Sequence, residues 1–244
     1  MKKPVTLYIL LLALSIGVLF LLNLFLGSVD IPFRSIWNIL WGMDEGESVI
    51  WQNIIWKSRV PQALTAMVAG AGLAVSGLQM QTVFRNPLAG PSVLGISSGA
   101  SLGVAFVVLL SGSIGGMALS RLGFMGEIAL TMAAIIGALS IMALIVYVSQ
   151  KVHGNVTLLI IGVMIGYVAN AVIGVLKFFS VEEDIRAYVI WGLGSFARVS
   201  GNQMMVFVCI MAVLLPLSFL LIKTLNLLLL GDAYARNLGL NIKR

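Results

Sequence analysis

Few side chains in this sequence are of a type that does chemistry, and their spacing rules most of that chemistry out. The one cysteine, Cys209, sits inside an apolar stretch with no CxxC partner, and the one histidine, His153, has no companion ligand. Neither a disulfide framework nor a zinc site can be drawn from them. No GxxxxGK[ST] phosphate loop occurs, so the chain does not itself hydrolyse nucleotide. Glu127 and Lys177 fall near the ends of long apolar runs, where snorkelling to water costs little. Neither has an opposite charge within its own run. Asn170 is the one amide near the middle of such a run, suited either to a hydrogen bond between helices or to lining a path. No pair of catalytic groups lies on one face of any run.

The elements that hold these residues are dictated by composition. The 244 residues are 60% hydrophobic and 10% charged, with a mean hydropathy of +1.07. A soluble globule could not hide that apolar surface, so lipid is the natural solvent. Six runs are long enough to cross about 30 Å of hydrocarbon: 5–26, 61–82, 92–111, 127–149, 155–179 and 203–222. Backbone groups in lipid must be satisfied within the segment, which makes each run a helix and the fold class all-α. The first run follows Lys2 and Lys3 as a signal peptide would, but it exceeds a typical signal core and lacks an Ala-x-Ala cleavage site. It reads as a retained span.

The net charge of +6 resides in the connections rather than in a single basic face, so membrane topology explains it better than a nucleic-acid partner does. With the N-terminus inside, the inner connections hold Lys2, Lys3, Arg85, Lys151, Lys223, Arg236, Lys243 and Arg244 against one acid, Asp232. All five tryptophans, Trp37, Trp41, Trp51, Trp56 and Trp191, then fall on the outer side, where indoles suit the interface. Ile36, Trp37, Ile39, Leu40 and Trp41 read as a short helix lying flat on the outer leaflet. Both termini are expected in the cytoplasm. Small residues at four-residue spacing form two lines, Gly95, Gly99 and Gly103 in the third span and Gly162, Gly166, Asn170 and Gly174 in the fifth. Such lines let helix backbones approach where lipid offers no hydrophobic drive.

With almost no ionisable group at depth, the chain lacks visible means of energising transport. Either a solute passes downhill, as in a channel or secondary carrier, or another subunit supplies the work.

From Arg59 onward the sequence becomes specific. Arg59-x-Pro61 opens a Gly/Ala-rich helix with Ser76-Gly77 and Gln81, then come Phe84-Arg85-Asn86-Pro87-Leu88-Ala89 and Leu94-Gly95-Ile96-Ser97-Ser98-Gly99-Ala100. Later segments are Ile190-Trp191-Gly192-Leu193-Gly194-Ser195 and the stretch from Leu230-Gly231-Asp232 to Leu240. In this order they resemble the permeases of the ferric-siderophore, haem and cobalamin ABC importers, over essentially the whole chain. The resemblance implies a polytopic helix bundle in the bacterial inner membrane, with six of an expected ten helices present. The chain is accordingly expected to be a piece of a longer product.

The resemblance further implies a homodimer working with two ATPase subunits, which bind ATP and Mg, and with an external substrate-binding protein. No cofactor or metal is expected in this chain. It assigns segment 231–244 to the ATPase groove, with Gly231, Asp232, Ala235, Arg236, Leu238 and Gly239 as contacts. It places the fifth span, with Gly162, Gly166, Asn170 and Gly174, beside the path at the dyad. Arg59 matches the first basic position of the binding-protein docking motif. The second is Gln62 here, a departure for which Lys57 offers partial compensation. From its residues alone, Arg59 suits equally an interfacial role at the membrane edge, and Asn86-Pro87 a plain hairpin turn. The resemblance implies a ferric siderophore, haem or cobalamin as cargo, with ferric siderophore as the expected member, although no residue of the sequence encodes the choice.

Overall fold

The computed structural model describes residues 5–43, 46, 48–111, 124–152 and 154–240. All its regular elements are helical, and no strand occurs among the described residues. His153 and the tail 241–244 lie outside them, so that part of the expected 231–244 segment is not described.

The chain divides into two compact units, Met1–Gly72 with Ser195–Leu217 and Leu73–Gly194 with Ser218–Arg244. The first unit begins with α1 (Val5–Phe25), whose one buried residue is Leu24. Its 21 residues rise about 31 Å and present leucine, isoleucine and valine on every face, as a helix bathed in lipid must. α2 (Phe33–Trp41) follows, capped at its C-terminus by Gly42 in the left-handed conformation at φ 68°. α3 (Val49–Ile54) has Ser48 as its N-cap, the hydroxyl accepting from the Ile50 amide, and runs through a π-turn (Ile55–Arg59) into α4 (Val60–Phe84). Ile31, Ile36, Ile39 and Ile55 form the core of this region. Ile36 and Ile39 therefore do not lie against the outer leaflet as the sequence suggested. They pack on Ile55, while Phe33, Trp37 and Trp41 stack along the exposed side of α2.

The second unit holds α5 (Ile96–Ser111), α6 (Phe124–Ser149), α7 (Asn155–Phe178) and α8 (Glu182–Gly192). One core cluster joins Val104, Ala105, Val108 and Leu109 of α5 to Ile173 of α7 and Tyr188 of α8. A second joins Phe84, Ala89, Leu94, Ile145 and Leu159. α9 (Gly201–Ser218), which belongs to the first unit as far as Leu217, contains Pro216, whose missing N–H and bulky ring break the ladder. A 3-10 turn, Phe219–Leu221, follows, and then α10 (Ile222–Leu229) and α11 (Asp232–Asn237).

Two boundaries differ from the sequence reading. The third span does not begin at residue 92: residues 91–95 are turns, and the helix starts at Ile96. Pro91 and the left-handed Gly95, at φ 74°, keep that stretch out of helical geometry. The sixth apolar stretch does not end at 222 but runs Gly201–Leu229, so Lys223 lies inside it with its side chain exposed. Five helical stretches among the described residues are long and apolar enough to cross a membrane, and Ile96–Leu110 is a shorter apolar helix. The protein is a multi-pass helical membrane protein.

Candidate functional site

Three places gather the residues singled out by sequence. At the C-terminal end of α4 the chain turns sharply. The amide of Arg85 donates to the Thr82 carbonyl (3.3 Å) and that of Asn86 to the Gln81 carbonyl (3.1 Å). This pairing is a Schellman closure, and it requires the left-handed φ of 49° that Arg85 adopts without being glycine. The Asn86 side chain accepts from the Leu88 amide at 2.9 Å, which explains asparagine before proline here. The Arg85 guanidinium reaches across to the Leu228 carbonyl at the end of α10, 3.0 Å away.

That carbonyl adjoins the second place. Gly231, at φ 104°, is the N-cap of α11, and Gly239, at φ 87°, closes it with the same Schellman pattern: Gly239 N–H to Arg236 O, Leu240 N–H to Ala235 O. A side chain at either glycine would strain the backbone. Ala235 is fully buried, so it is an internal contact of α11 and not part of its outer face. Tyr234, Arg236, Asn237, Leu238 and Gly239 are exposed. Asp232 opens the helix. With Leu88 at 82% exposed on the adjoining hairpin, this end of the unit offers apolar side chains beside polar ones.

The third place is where the turn before α5 meets α7. A Cβ on Gly95 would lie 2.8 Å from the Gly162 carbonyl, and one on Gly162 would lie 2.8 Å from the Leu94 Cα. One on Gly166 would meet the Ser98 hydroxyl at 3.3 Å. Gly95 is thus no member of a helical glycine line; it is a turn residue seated on α7. Gly99 and Gly103 face α6 instead, against Ala133, Gly137 and Ile141. Gly137 was not foreseen, because it is the one glycine of its run and its four-spaced companion is the alanine Ala133. The α7 line also divides. Positions four apart advance about 40° around a helix of 3.6 residues per turn, so a long line winds off one face. Gly162 and Gly166 are buried, whereas Asn170 and Gly174 are exposed and nothing lies within 4 Å of a Cβ at Gly174. Asn170, Tyr167, Ser92 and Ser98 contribute to a cleft of about 300 Å³ beside this contact.

At the other end of α4, Arg59 is 5% exposed. Its guanidinium donates to the carbonyls of Leu24 (2.6 Å), Phe25 (3.1 Å) and Val29. The first two are orphan acceptors at the end of α1, where the helix dipole also favours a cation, and the third belongs to the connection that follows. The side chain closes over Gly27, where a Cβ would lie 2.7 Å from Nη2. Arg59, expected either as a docking charge or as a cap at the membrane edge, is thus buried here, with its guanidinium committed to the α1 carbonyls. Lys57 is exposed, and Gln62 is partly buried.

On the far side of α7, Lys177 lies over the Tyr188 ring, 4.8 Å from its centroid. Burial pushes the Tyr188 phenol above its ordinary value, and a hydrogen bond with Ser101 draws it partly back. Among the described residues no cluster of three or more metal-ligating side chains forms.

The chain is 35% identical over 220 residues to the hemin transport system permease HmuU of Yersinia pestis, covering 90% of this chain and 62% of that protein. It is 36% identical over 236 residues to the vitamin B12 import permease BtuC of Serratia proteamaculans, covering 96% of this chain and 64% of the relative. It therefore spans less than two thirds of the length of either. A solved inward-facing metal-chelate type ABC transporter superposes with a TM-score of 0.75 at 27% identity, over 98% of this chain and 69% of that one. The model of the FecCD transport family matches residues 12–244, and the chain belongs to that family.

Proposed function

We infer that this chain is the membrane-spanning permease subunit, or part of it, of an ATP-binding-cassette importer for metal chelates in the bacterial inner membrane. The observation that carries this reading is the end of the second unit, where two glycine-shaped turns hold α11 with Tyr234, Arg236 and Leu238 outward. A rigid knob on a membrane protein without a nucleotide site suits a socket on a separate ATPase, which would bind ATP and Mg. The chain itself is not an enzyme; it converts movement of α11 into movement of helices. The family membership and the roles of the relatives, hemin and vitamin B12 permeases, favour a bulky chelate as cargo, and ferric siderophore is our choice.

In the working assembly two copies pair, with the open part of α7 around Asn170 and Gly174 toward the path. An external binding protein docks on the Trp56–Lys57 side, with Lys57 as its cation and Arg59 holding the connection that presents it. Both termini of the chain lie on the ATPase side in this arrangement. The decisive experiment is Leu238→Glu in the full-length protein. Leu238 is exposed, so the fold survives, and copurification of the ATPase and ATP-dependent uptake should both be lost. If both persist, α11 is not the socket contact. Uptake by vesicles that hold the permease without any ATPase would favour a passive carrier instead.

A further inference from the structure

The hydrogen bond between Arg85 and the Leu228 carbonyl joins two turns that are far apart in sequence, and each is continuous with a place already described. On one side, Leu228 accepts at the end of α10, three residues before the Gly231 cap of α11. On the other, Arg85 begins the hairpin that Asn86 pins through the Leu88 amide and that ends at Gly95, lodged against the backbone of Gly162 in α7. Phe84, Ala89 and Leu94, all buried, share one cluster with Leu159 of α7, so the hairpin cannot shift without pressing on that helix.

We propose that Arg85 is a positioning residue for transport: its guanidinium ties the α10–α11 junction to the α4–α5 hairpin, so displacement of α11 is delivered to α7 at the Gly95–Gly162 contact. The choice of arginine supports this. The C′ position of a Schellman turn favours glycine, and a β-carbon at φ 49° is a local cost. An arginine held there is kept for its side chain, and that side chain ends on a carbonyl at the C-terminus of another helix, where cation and dipole attract. The inference rests on the permease reading, since it assumes that α11 is the element the ATPase moves.

Arg85→Gly separates the tie from the turn, because glycine preserves or improves the left-handed turn while the side chain that carries the guanidinium is removed. Two measurements apply to the full-length protein in nanodiscs. The first needs no partner: hydrogen exchange should rise at the amides of 86–95 and at those of 229–240 together, with α6 unchanged. Unaltered exchange at either segment overturns the tie, whatever the ATPase does. The second uses the complex with ATPase and binding protein: the ATPase should copurify as with wild type and hydrolyse ATP, while substrate imported per ATP falls at least tenfold. Arg85→Lys, which keeps a cation and a donor, should recover part of that ratio. Wild-type coupling in Arg85→Gly overturns the relay, and so does loss of ATPase binding, which would make Arg85 a contact residue. Failure of the wild-type chain to bind any ATPase would sink the permease reading instead, and the exchange result would still judge the tie.

Discussion

Arg59 and Arg85 sit at opposite ends of α4, and each spends its charge on backbone carbonyls at the C-terminus of another helix. A helix end in or near lipid leaves carbonyls that water cannot reach freely, and a guanidinium with five donors answers several at once. Arg59→Ala should therefore destabilise the detergent-solubilised protein by about 2–3 kcal/mol, through lost charge-assisted hydrogen bonds and orphaned acceptors. Arg59→Lys should fall between the two, because one ammonium cannot span three carbonyls. Thermal unfolding read by the tryptophans checks both. Lys57→Ala, on an exposed side chain, should leave the unfolding temperature alone and slow association with the binding protein in a salt-dependent way, as stopped-flow kinetics would detect. Sequence singled out Arg59 as notable but left its role open. The carbonyls it serves lie 30 to 35 residues away, and no local spacing announces them.

At the scale of helices, the glycine lines were legible as packing surfaces but not as to their partners. Period and apolarity are local properties of a run, whereas which neighbour fills a groove depends on the winding of the line and on the turn before it. Gly95, Gly99 and Gly103 look equivalent in sequence, yet the first abuts α7 and the other two α6. A methyl placed on Gly137 would enter the backbone of Gly99 and Gly103, so Gly137→Ala should force α5 and α6 apart and lower the unfolding temperature. Gly174→Ala meets nothing within 4 Å and should leave the single chain's stability unchanged. If Gly174 faces a second copy, the same substitution should weaken the dimer, a difference that crosslinking yield in membranes would separate from folding. The turn at 91–95 was missed because its residues 92–95 were absorbed into an otherwise apolar run, although Pro91 stood just before that run. The end of the sixth stretch was missed because Lys223 was taken as a boundary, though a lysine's long stem lets its charge reach water from within an apolar helix.

For the molecule as a whole, the sequence was most informative where backbone geometry needs a particular residue. Asn86-Pro87, Gly231 and Gly239 carry the resemblance to the importer permeases, and each occupies a turn whose dihedral angles or hydrogen bonds account for its presence. The helical class followed from hydropathy alone, since lipid permits little else. What stayed hidden was long-range: the core that turns Ile36 and Ile39 inward, and the joining of Arg85 to Leu228. Gly231→Val should disrupt the α10–α11 junction through its strained φ even in the absence of any ATPase, whereas Leu238→Glu should be silent until the ATPase is present. Limited proteolysis of the permease alone and of the complex distinguishes the two.

The first helix carries one more consequence. Leu24 is its one buried residue, and Arg59 grips the backbone just there, so the remaining length is a greasy rod clamped at a single end. Such a rod adjusts its slope to the thickness of the surrounding bilayer, at a modest cost per ångström of mismatch. Its clamp, in turn, is the last residue of the π-turn leading into α4. Membranes of thinner or thicker acyl composition would then twist this joint, making the lipid itself a lever on the segment that presents Lys57.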